Sequence, residues 1–147
     1  MSATFEDSVL ICASAESLFR LTQDYTRRLE WDPFLKVATL VGGAVEPGVG
    51  VRAWCVAKSG FGMETEYVSF DPPRRTAVRM TKGPLFLRKF SGSWVFREEP
   101  NGQTRVTFRY HVVARPKWLG KFLGGRFEKD TTRRLLALKR FCELDGA

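Results

Sequence analysis

The chain has 147 residues, 44% of them hydrophobic and 27% charged, with a formal charge of +8. Those proportions suit a single folded domain over residues 1–147 and exclude a disordered polyelectrolyte. A domain of this length buries about 70% of the surface its unfolded chain exposes. No apolar run approaches the roughly 20 residues that span a bilayer, and the short acidic start, Met1 to Asp7, has no signal-peptide pattern.

Thr4 to Cys12 alternates and is rich in β-formers, which predicts a strand. Ser14 can cap a short helix carrying Leu18, Phe19 and Leu21, because its hydroxyl can accept from amides that lack helical partners. Asp24 is expected to cap a second short helix through Leu29. That helix ends before Asp32-Pro33, since a proline disfavours helical geometry in the residue before it.

Strand-like segments then follow over approximately Leu35–Val45, Val49–Ala57, Met63–Phe70, Thr76–Thr81, Leu85–Glu98 and Thr104–Ala114. The breaks carry turn residues, with Asn101-Gly102 the strongest hairpin signal. Pro116 fits the first turn of a long helix running to about Leu144. Leu119, Leu123, Phe127, Thr131, Leu135, Leu138 and Cys142 form one stripe on it. Gly124-Gly125 weakens that helix and predicts a kink or a close backbone approach.

A curved sheet has one face to cover, and the long amphipathic helix is the only element able to cover it. The expected class is therefore α+β: a curved antiparallel sheet wrapped around a long C-terminal helix, with two short helices after the first strand closing one end. Space can remain between sheet and helix, so an internal pocket is expected. The alternative is a filled core.

The aromatic residues suit such a pocket, because they offer large area and few charges. Trp31 and Phe34 flank the turn at the expected rim. Phe90, Trp94 and Phe96 share one strand face, and Phe108, Tyr110 and Val112 share another. Leu123, Phe127 and Thr131 face them from the helix. The expected polar anchors are Tyr110, Thr131, the Trp94 indole and Glu66.

His111 is the sole histidine. Strand alternation puts it on the outer face with Thr107 and Arg109, so no His-dependent catalytic site is expected. Glu64 and Glu66 share parity with Val68 and Phe70. An unbroken strand draws them inward toward Arg79, as candidates for proton transfer beside Tyr67 and Tyr110. A bulge instead leaves a surface ion pair.

No metal motif, P-loop or usable dinucleotide fingerprint occurs. Gly48-x-Gly50-x-x-Ala53 opens a strand with no helix after it, so no metal or cofactor is expected. Cys12, Cys55 and Cys142 form no paired spacing, and each sits in an apolar stretch. Buried reduced thiols and a cytoplasmic location are the expectation. Residues 115–147 hold nine basic and four acidic residues. That balance suits a solvated helix face or peripheral contact with an anionic membrane. Nucleic acid is not expected as a partner, because stacking motifs and zinc-finger spacings are absent.

Several segments together resemble the START-like, or SRPBCC, superfamily. They are Val9 to Phe19 at the start, Glu30-Trp31-Asp32-Pro33, the turn Asp71-Pro72-Pro73-Arg74-Arg75, Gly102-Gln103-Thr104-Arg105-Val106-Thr107, and Leu136 to Glu143 at the end. The resemblance implies the helix-grip fold. It implies binding or carriage of a small, mostly hydrophobic molecule, or else a polyketide cyclase or dehydratase activity. A basic membrane-surface or partner-binding module is the third reading.

Overall fold

The computed structural model describes residues 2–115 and 118–144, with the backbone alone at 2 and 119–125. Strand β1 (Ser2–Ile11) is followed by helices α1 (Ala15–Gln23) and α2 (Arg28–Trp31). Then come β2 (Leu35–Leu40), β3 (Arg52–Ala57), β4 (Gly62–Asp71), β5 (Arg75–Lys82), β6 (Leu87–Glu98), β7 (Thr104–Ala114) and α3 (Leu119–Leu144).

The strands form one seven-stranded sheet, entirely antiparallel, in the order β1-β7-β6-β5-β4-β3-β2. It curls around α3 as a helix-grip fold. The α1–α2 segment carries the chain from one edge strand, β1, to the other, β2.

Local chemistry sets these boundaries. The Ser14 hydroxyl accepts from the Ser17 amide and caps α1. Asp24 ends α1 instead of starting α2, and its carboxylate takes the Thr26 amide in a tight Asx turn, so α2 begins only at Arg28. In the β6–β7 hairpin Gly102 has φ of +82°, which glycine adopts without steric cost. The second strand stops at Leu40 rather than Val45, because Gly42 and Gly43 both take positive φ. Helix α3 continues through Gly124-Gly125. Its expected start at Pro116 lies outside the described residues.

Helix α3 packs on β1 and β7. Its apolar stripe, Leu135, Leu138 and Cys142, meets Ile11, Val106 and the α1 residues Leu18 and Leu21 in the core. Polar contacts fix its position. Thr132 donates to Asp7 at 2.7 Å, Lys139 donates to the Leu10 carbonyl at 2.6 Å, and Glu143 accepts the Cys12 amide at 2.8 Å. Because the helix is pinned to the β1 side, the inner faces of β3, β4 and β5 are left for a cavity.

One open alternative is decided here against the inward carboxylates, and one expectation, a buried Cys12, is corrected. Between Tyr67 and Ser69 the β4–β5 register shifts, so Val68 is the extra residue of a bulge. Met63, Thr65 and Tyr67 therefore face inward, while Phe70 still reaches the core. Glu64 and Glu66 lie on the outer face, paired with Arg52 at 3.6 Å and Arg79 at 3.7 Å. Cys12 is exposed, because it follows the inward Ile11 and points the other way. Cys142 is buried, and burial raises its thiol pKa to about 11.

No helix among the described residues is long and apolar enough to cross a membrane.

Candidate functional site

A cavity of about 440 Å³ lies between the sheet and α3. Its volume falls within the roughly 300–1,000 Å³ of small-molecule sites. The apolar wall is built by Phe34, Leu35, Met63, Phe86, Phe90, Trp94, Phe108 and Phe127, with Ala57, Val78 and Gly92 as its small residues.

Of the residues expected from sequence, Phe34, Phe90, Trp94, Phe108, Tyr110, Phe127 and Thr131 come together on this wall. Trp31 and Phe96 do not. Trp31 is 4% exposed and packs edge-on against Trp94, and Phe96 stacks behind Trp94 and meets Phe19. The reason is that α2 extends to Trp31 and turns the indole into the core instead of the rim. Leu123 belongs to α3, but its side chain lies outside the described residues. The Tyr110 hydroxyl is buried without a well-aligned hydrogen bond among the described residues; burial raises its pKa, and the Thr131 hydroxyl beside it opposes the rise.

The polar end of the cavity comes from residues that sequence reasoning did not select. Arg28 donates through Nε to Asp32 Oδ2 at 2.8 Å and through Nη1 to the Thr22 carbonyl at 3.2 Å. Arg134 donates through Nε to the same Asp32 oxygen at 3.2 Å, with Nη2 at 3.1 Å. The other carboxylate oxygen takes the Phe34 amide at 3.0 Å. One carboxylate thus serves two guanidinium groups. Arg28 lies over the Trp31 and Trp94 rings at 5.0 and 5.9 Å, and Arg134 over Phe34 and Phe108 at 5.2 and 5.3 Å.

Burial alone would raise the Asp32 carboxyl, but the two guanidiniums outweigh it and hold its pKa below the usual range. At Arg28 burial works against the charge, and the neighbouring carboxylate more than offsets it. At Arg134 burial wins and lowers the pKa. Both remain charged at neutral pH, since a guanidinium starts above about 12.

A second chain of polar groups runs beside this cluster. Thr22 donates to the Phe19 carbonyl, so its oxygen accepts from Gln23 Nε2 at 3.0 Å. Gln23 Oε1 is then the acceptor for the Tyr67 hydroxyl at 2.7 Å, and Tyr67 accepts from Tyr25 at 3.0 Å. The fixed carbonyl of Phe19 sets this polarity. Tyr25, on the cavity wall, is left presenting oxygen lone pairs. Burial raises both tyrosine pKa values and keeps them protonated.

A smaller cleft of about 250 Å³ shares Phe34, Ala57, Ser59, Arg126 and Asp130 with the cavity and adds Pro33, Lys58 and Arg133. It marks a basic mouth between the β3–β4 turn and α3. His111 lies outside the cavity and bonds Thr4 at 2.8 Å. No cluster able to hold a metal occurs among the described residues.

The sequence profile described as polyketide cyclase / dehydrase and lipid transport matches residues 2–143. No curated protein sequence matches the chain. Among solved structures, the ZhuI aromatase/cyclase from Streptomyces sp. R1128 superposes with a TM-score of 0.81 at 18% identity, covering 100% of this chain and 99% of that one. The di-domain aromatase/cyclase BexL of the BE-7585A biosynthetic pathway gives 0.74 at 23% identity, over 97% of this chain and 50% of that one. Ara h 8.0201 gives 0.75 at 15% identity, over 96% and 97%. At these identities the likeness is one of fold.

Proposed function

Because the chain belongs to the polyketide cyclase / dehydrase and lipid transport family, we propose that it binds a small, mostly apolar molecule in the cavity between sheet and α3. The observation that carries this reading is the cavity itself: an aromatic-walled space of about 440 Å³ in a region where close packing would be the norm. Water would gain little there, since most of the wall offers no hydrogen bonds. Burying about 200 Å² of apolar ligand surface would contribute roughly 5 kcal/mol before ordering costs, equivalent to a dissociation constant of about 0.2 mM, so tighter binding needs the polar groups of the cavity as well. Native mass spectrometry of the protein as purified, compared with its denatured mass, tests this. A bound organic molecule released on denaturation is expected, and binding restricted to sugars and nucleotides in later titrations would oppose it.

A second reading, an enzyme of the cyclase or dehydratase kind, draws support from Tyr25 at the cavity wall, linked through Tyr67 to Gln23. There the Tyr25 oxygen, held as a hydrogen-bond acceptor by its donation to Tyr67, would orient a substrate hydroxyl for its loss as water. Incubation with an aromatic polyketide precursor tests it. A product lighter by one water, absent with Tyr25→Phe, would favour the enzyme over the carrier.

A further inference from the structure

Arg28, Asp32 and Arg134 leave one positive charge uncompensated inside the fold, and they leave it at the wall of an apolar cavity. An unpaired charge in such a place is costly, so a site of this kind calls for a counter-charge. Each arginine keeps a donor in reserve on the cavity lining. Arg28 uses Nε and Nη1 within the protein, and Nη2 has no partner among the described residues. Arg134 spends Nε and Nη2 on Asp32, and its Nη1 is likewise without a partner among the described residues. The hydrogen bonds to Asp32 and the Thr22 carbonyl restrain both guanidiniums, which lie over Trp31 and Trp94 and over Phe34 and Phe108. The donor directions are therefore set before any ligand arrives. Asp130 and Arg126 also line the cavity, but they lie on the mouth side, shared with the outer cleft.

We propose that the Arg28–Asp32–Arg134 cluster is an anion-recognition subsite, and that the cavity's ligand is an apolar molecule carrying one anionic oxygen group, a carboxylate or an ionised enol or phenol. The proposal rests on the binding reading above and specifies the polar end of the same ligand. The aromatic wall takes the apolar body, Arg28 Nη2 and Arg134 Nη1 take the anionic oxygens, and the Tyr25 oxygen accepts from a hydroxyl beside them. The anion is held by hydrogen bonds that a neutral alcohol forms only weakly and an ammonium group opposes.

The test is displacement of Nile red, a neutral apolar dye, by naphthoate, naphthylmethanol and naphthylmethylamine at neutral pH. The wild-type protein should prefer naphthoate to the alcohol by about tenfold or more, with the amine weakest. Arg28→Met should abolish that preference, each competitor being read against the variant's own Nile red affinity. Arg133→Met, in the outer cleft and off the cavity wall, should keep the preference. Dye binding with equal competition by all three compounds overturns the subsite and leaves the cavity reading intact. A preference lost in Arg133→Met but kept in Arg28→Met also overturns it. Failure of the dye and of all three compounds to bind overturns both. Should Arg28→Met fail to fold, the wild-type order of the three competitors still decides.

Discussion

Arg134 Nη2 lies 3.1 Å from Asp32 Oδ2, although 102 residues separate the two. The contact ties the end of α2 to the middle of α3 across the polar end of the cavity. The Asp32 carboxylate is fully enclosed, and it takes Arg28 and the Phe34 amide as well. Removing its charge sets two buried guanidiniums against each other.

Asp32→Asn should therefore cost about 3–5 kcal/mol in urea unfolding, the range for breaking a buried charge pair. A loss below about 1 kcal/mol, the level of an exposed pair, would contradict the account.

The same carboxylate predicts a pH dependence. Its folded pKa is depressed, so its contribution is fully present above the unfolded value, near 3.9, and is lost as pH falls through the folded value. Unfolding free energy should decline with acidification below about pH 4, and Asp32→Asn should flatten that decline. Equal slopes in the two proteins would assign acid lability elsewhere.

Tyr67→Phe removes the middle of the relay. Gln23 Oε1 loses its donor and the Tyr25 hydroxyl loses its acceptor, both in a buried setting. A stability loss of about 1–3 kcal/mol is expected. Tyr25→Phe should cost less, because its ring faces the cavity and no relay member lies beyond it. The reverse order in chemical denaturation would show that the relay polarity is wrong.

Tyr110→Phe should behave differently. Its hydroxyl is buried with only the poorly aligned Thr131 hydroxyl beside it, so removing it deletes a desolvated group and at most a weak contact. Melting temperature should hold or rise. A fall worth more than about 1 kcal/mol would mean that the hydroxyl is hydrogen-bonded in solution.

The sequence made the architecture legible because each signal was local. Alternation marks β1 and β7, the Asn101-Gly102 pair marks their neighbouring hairpin, and the stripe from Phe127 to Cys142 marks α3. The apolar wall was legible for the same reason: Phe108 and Tyr110 share a strand face whatever else the chain does. Parity alone left Glu64 and Glu66 open between the inner face and a surface ion pair, since one bulge residue, Val68, reverses the face of everything before it.

The polar end was not legible. Arg134 lies in the segment that reads as a solvated helix face, Arg28 belongs to no motif, and only folding brings them to one carboxylate. The i,i+4 spacing of Arg28 and Asp32 was the available local signal, and such pairs are common on exposed helices. Tyr25, Tyr67 and Gln23 meet only because α1, the α1–α2 turn and β4 converge.

The central claim is that the space beneath α3 holds a ligand. Val78 lines it from β5, opposite Gly92 on β6. Nile red titration of the wild-type protein and of Val78→Trp, each with its melting curve, tests this most directly. Saturable one-to-one binding in the wild type, weakened by about tenfold or more in a Val78→Trp protein that still unfolds cooperatively, is the predicted result. A cooperatively folded Val78→Trp protein that binds the dye as tightly as the wild type would contradict it.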